Sequence, residues 1–80
     1  MNIGSIRQLV DTFTKEELQN AETALMEEQP LAIEVPGIDD GERLTHLIAA
    51  VWVHNHMTEH SSDAMTAIRE YTKRVRQSIS

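Results

Sequence analysis

Apolar residues recur at helical spacing in four separate stretches of the chain. Ile3, Ile6, Leu9, Val10 and Phe13 predict a short first helix over about 2–12, with Asn2 or Ser5 as its cap. Leu18, Ala21 and Leu25, with Met26 beside them, carry a second helix to about residue 28. Pro30 then ends it, because the residue before a proline avoids the helical region. The third and most apolar stretch is LTHLIAAVWVHNHM at 44–57, opened by Asp39 or Asp40 as cap and fading near 58–61. After the polar break HSSD, with Ser61 or Ser62 as cap, Ala64, Ile68, Tyr71, Val75 and Ile79 define the inner face of a fourth helix.

Two boundaries carry further chemistry. Thr14-Lys15-Glu16-Glu17 is a capping-box sequence, and Phe13 and Leu18 stand where a hydrophobic staple would place them. Losing the Thr14 cap costs about 1 kcal/mol. Between the second and third helices, Leu31, Ile33 and Val35 alternate with Ala32 and Glu34 between two prolines. That pattern predicts an extended connector with its apolar side on the helices. The fold class expected is all-α, a compact four-helix domain with a short extended connector between helices two and three.

The third helix is apolar on more than one face. At 100° per residue, Leu44, Leu47, Ile48, Val51 and Asn55 share one side, with Trp52 at its edge. Ala49, Ala50, Val53 and Met57 occupy the opposite side, and no charge falls between Arg43 and Glu59. Eighty residues leave little chain to cover a helix apolar on both sides, so the side with Ala49, Ala50, Val53 and Met57, together with Trp52 and the alternating connector, is expected to be an interface. A second copy of the chain is the simplest partner, since one patch then meets itself across a two-fold axis. An unknown different protein is the other candidate.

The totals agree with a small associating domain. Eighty residues make a single domain, 1–80, that buries only about 60–65 % of its extended-chain surface on folding. Without cysteine, neither disulfides nor thiolate metal sites are available. No apolar run reaches the roughly 20 residues of a membrane span, and the N-terminus has no signal-peptide pattern. A cytoplasmic location is therefore expected. The net charge is −6, divided unevenly: residues 1–42 hold ten acids and two bases, residues 43–80 three acids and five bases.

Candidate chemistry is sparse. Arg69, Lys73 and Arg76 form a basic stripe on the fourth helix, with Arg74 nearby, and permit a nucleic-acid-associated regulator. The acidic total and a pI near 5.0 argue against it, favouring a solvated stripe paired with acids of the second helix. His56 and His60 lie one turn apart, a spacing that lets two imidazoles meet one ion. Met57 follows His56 where a metalloprotease helix places glutamate, so no resident metal is assigned and these two remain weak candidates. His54 flanks the apolar surface and reads as a hydrogen-bonded structural residue. No glycine-rich phosphate loop, nucleophile elbow or convergent catalytic set occurs, so neither enzyme activity nor a cofactor is expected.

The segments DGERLTHLIAAVWV at 40–53, AIREYTKRVRQSIS at 67–80 and IRQLVDTFTKEELQNAE at 6–22 together resemble a small, functionally uncharacterised bacterial family of all-α domains. The resemblance implies no activity, cofactor or functional residue.

Overall fold

Four helices form among the described residues, each behind a polar side chain that satisfies orphan N–H groups of its first turn. The computed structural model describes residues 2–79, with side chains over 2–77. It comprises α1 (Ile3–Thr12), α2 (Lys15–Met26), α3 (Asp40–His60) and α4 (Ala64–Ile79), with no strand among the described residues. Asn2 caps α1 by accepting the Ser5 N–H at 3.2 Å. The capping box of α2 is complete: the Glu17 N–H donates to Thr14 Oγ1, and the Thr14 N–H donates to Glu17 Oε1. Asp39 caps α3 by accepting the Glu42 N–H at 2.8 Å. For α4 the expected serine caps are replaced by Asp63, whose Oδ1 accepts the Thr66 N–H at 2.8 Å. The shift follows from Ser61, which adopts a left-handed conformation (φ 51°) as the C-cap of α3.

Helix α2 stops at Met26 through a Schellman motif. Glu28 takes φ 56°, which turns the Gln29 N–H onto the Ala24 carbonyl at 2.8 Å and the Glu28 N–H onto the Leu25 carbonyl at 3.2 Å. Pro30 is therefore not the residue that ends the helix. The connector behind it alternates as its sequence requires. Leu31 and Ile33 are half-buried and Val35 is buried, while Ala32 and Glu34 face solvent.

Helix α3 is the central element, packed against α1, α2 and α4, and α1 also packs against α4. One core joins Ile6, Leu9 and Val10 of α1, Leu18 and Ala21 of α2, Val35, and Ala64, Ala67 and Ile68 of α4 to the buried side of α3. On α4, Tyr71 and Val75 are half-buried as their spacing requires, and Ala67 joins the core between them and Ala64. The expected inward position of the Ile79 side chain lies outside the described residues.

Two histidines on α3 fasten the irregular segments to it. His46, fully buried, accepts the Asn2 N–H at Nε2 (3.0 Å) and faces the Pro36 carbonyl with Nδ1 (2.8 Å). A carbonyl only accepts, so Nδ1 carries the proton and Nε2 the lone pair. His54 Nε2 donates to the carbonyl of Phe13, the residue that joins α1 to α2, at 2.9 Å.

Candidate interaction surface and histidine–aromatic cluster

The buried arc of α3 consists of His46, Leu47, Ala49, Ala50 and Val53. Ala49, Ala50 and Val53, expected at an interface with another molecule, are fully enclosed by their own chain. The assignment of faces is thereby exchanged. Of the side expected to point inward, Leu47 is buried and Val51 is partly buried against the core, while Ile48 is 45 % exposed and Leu44 and Asn55 are half-buried. The reason lies in crowding. A helix contacted by three others has little room around its axis, and alanine lets neighbouring backbones come close, whereas a larger side chain holds them apart. Met57 and Trp52, the other two expected interface residues, are half-buried and packed against the core.

The outer face of α3 thus presents Leu44, Ile48, Val51 and Asn55 along its length, with Trp52 at the edge toward α4. Elsewhere the large exposed apolar side chains are Ile3, Met26, Ile38 and Met65, each on a different segment. On α3 itself Ile48 is the large apolar side chain that is exposed, while Val51 and Trp52 beside it are partly buried and packed against the core.

Toward the end of α3, Trp52, His56 and His60 follow at successive turns and their rings form a ladder. The Trp52 and His56 centroids lie 5.1 Å apart with planes 22° from parallel, and the His56 and His60 centroids 4.4 Å apart. Arg74 of α4 places its guanidinium carbon 5.6 Å from the Trp52 ring centroid, and Tyr71 tilts against the indole at 5.5 Å. Burial against this cluster pushes the Tyr71 phenol above its usual range. A shallow cavity of about 270 Å³ opens here, lined by Trp52, Asn55, His56, Glu59, His60 and Arg74. Sequence spacing brings Trp52, His56 and His60 together along α3, but the contribution of Arg74 depends on how α4 docks. No group of three or more histidine or carboxylate ligands assembles among the described residues.

Arg69, Lys73 and Arg76 are exposed along α4, as their spacing requires. They do not pair with the acids of α2: the ion pairs among the described residues are Arg7–Asp11 at 2.8 Å and Arg43–Asp40 at 3.0 Å, each local to one helix. Helix α4 lies instead against α1 and α3. Arg69 and Arg7 add to the field on Asp63, whose carboxyl is held below the usual carboxylate range chiefly by its hydrogen bonds from Thr66. No helix among the described residues is long and apolar enough to cross a membrane.

Comparison with curated proteins and with solved structures gives no match. The match to a family extends over residues 1–80, the whole of the sequence, and carries no activity with it: the chain belongs to the DUF6952 family, a family of unknown function.

Proposed function

We propose that this chain is a non-catalytic interaction module of the cytoplasm, regulatory or scaffold in kind, that pairs with a second copy of itself through the outer face of α3. The observation that carries this reading is Ile48, 45 % exposed midway along a helix with no charge between Arg43 and Glu59. Leu44, Val51 and Trp52 border it with the parts of their side chains left uncovered, Val51 and Trp52 being otherwise packed against the core. Covering this surface removes apolar area from water at about 25 cal/mol per Å². The flanking helices differ in charge, with Glu16, Glu17, Glu22 and Glu27 on or at the end of α2 and Arg69, Lys73, Arg74 and Arg76 on α4. A two-fold partner can set one copy's basic helix beside the other's acidic one.

Light scattering across a concentration series tests the proposal. The expected mass is twice the 9.1 kDa of one chain, and Ile48→Glu should return it to a single chain with helicity retained. A wild-type monomer at high micromolar concentration would end the reading.

The second reading, a nucleic-acid-associated regulator, draws on the exposed Arg69, Lys73 and Arg76 stripe. It requires salt-dependent retardation of DNA or RNA that Arg69→Glu removes.

A further inference from the structure

We propose that His56 and His60 chelate a late first-row divalent transition metal ion (Ni²⁺, Cu²⁺ or Zn²⁺) at the C-terminal end of α3. The site lies within one chain and does not require the pairing of copies, although Trp52 borders both.

Four observations converge on this position. The two imidazoles leave α3 one turn apart with centroids separated by 4.4 Å, so small side-chain rotations bring a nitrogen of each to a common ion. His56 already has an outer partner: its Nδ1 lies 3.2 Å from Ser62 Oγ, in the turn leading to α4. A hydroxyl can accept the Nδ1 proton, which fixes the ring and turns the Nε2 lone pair outward, the arrangement found behind metal-binding histidines. His60 also sits in the last turn of α3, where free carbonyls and the helix dipole favour a cation. Finally, Glu59 lines the same cavity and opposes the positive charge of Arg74.

The donor set selects the class of ion. Imidazole nitrogen suits borderline ions such as nickel, copper and zinc, and the chain has no cysteine to draw thiolate-seeking ones. With no third histidine or carboxylate joining them among the described residues, water completes the shell. Affinity is accordingly weaker than that of a structural zinc site.

Trp52 supplies the readout, being the sole tryptophan and stacked 5.1 Å from His56. Ni²⁺ added to the full chain at neutral pH should quench its fluorescence saturably at one ion per chain, and EDTA should reverse the effect. His60→Ala, at an exposed helix end, should keep the far-ultraviolet spectrum of the wild type and weaken the quenching at least about tenfold. Zn²⁺, followed by calorimetry, should show the same dependence on His60. Quenching that does not saturate, that survives in His60→Ala, or that reaches half an ion per chain would overturn the intrachain chelate. So would the absence of heat or quenching up to millimolar ion.

Discussion

The backbone N–H of Asn2 donates to Nε2 of His46 across 44 positions of sequence, at 3.0 Å. Through the other ring nitrogen, the same imidazole holds the Pro36 carbonyl. One buried side chain thereby joins the cap of α1, the end of the connector and the first half of α3. His46→Leu fills similar space but strips both partners of their bond. The expected cost is about 2–4 kcal/mol, out of a total near 4–12 kcal/mol for a domain of this size. Urea denaturation should register it as a large fall in midpoint; a midpoint close to that of the wild type would show the two bonds to be dispensable.

Val53→Glu and Ile48→Glu separate the two faces of α3. Val53 is fully buried, so an acid there meets the core and the protein should lose its helical spectrum. Ile48 is 45 % exposed, so the same change there should leave far-ultraviolet circular dichroism intact. If Val53→Glu folds and Ile48→Glu does not, the orientation of α3 described above is wrong.

That orientation is what the sequence hid. Helix number, the Thr14–Glu17 box, the Asp39 cap and the in–out alternation of Leu31, Ile33 and Val35 are local features, set by spacing within a few residues, and each appears where its pattern requires. The inner face of α3 is a tertiary property. On a helix apolar all round, size alone favours Ile48 over Ala49 for the interior, whereas a helix packed on three sides selects the smaller residue. His46 was hidden for a related reason. Its neighbours in sequence say nothing of Asn2 or Pro36, which reach it only once the connector folds back. The His56–His60 pair was legible because one turn of helix sets it; the stacking of Trp52 with Arg74 was not, because it joins two helices.

Glu28 takes a left-handed conformation that glycine adopts at lower cost. Its N–H bond to the Leu25 carbonyl is a backbone bond that glycine keeps. Glu28→Gly should therefore stabilise the domain, by about 0.5–1 kcal/mol, read as a rise in thermal midpoint. An unchanged or lower midpoint would place the motif's strain elsewhere.

Gly37 presents the opposite case. Its φ is +153°, and a Cβ there would stand 2.8 Å from Arg43 Cγ and 3.0 Å from the Arg43 backbone nitrogen. Backbone in the first turn of α3 cannot yield as a flexible side-chain end can, so Gly37→Ala should cost about 1–3 kcal/mol. Chemical denaturation measures it, and a loss below a few tenths of that range would mean the turn has another conformation available.

Asp63 gives the domain a specific acid sensitivity. Hydrogen bonds from Thr66, with smaller help from Arg69 and Arg7, hold its carboxyl below the ordinary value of 3.8. The folded state therefore prefers the ionised form more than the unfolded chain does, which is a stabilising contribution present above pH 3.8 and lost as pH falls through the lower folded value. Asp63→Asn keeps an oxygen at the cap but removes the ionisation. Wild type should be the more stable at neutral pH, and its advantage in thermal midpoint should shrink below pH 3.8 as the native carboxylate takes up its proton. The remaining twelve acids are common to both proteins, so acid effects shared by all carboxylates cancel in the comparison. A difference that stays constant from neutral pH into the acid range would show that Asp63 acts at the start of α4 as a neutral cap, without help from its charge.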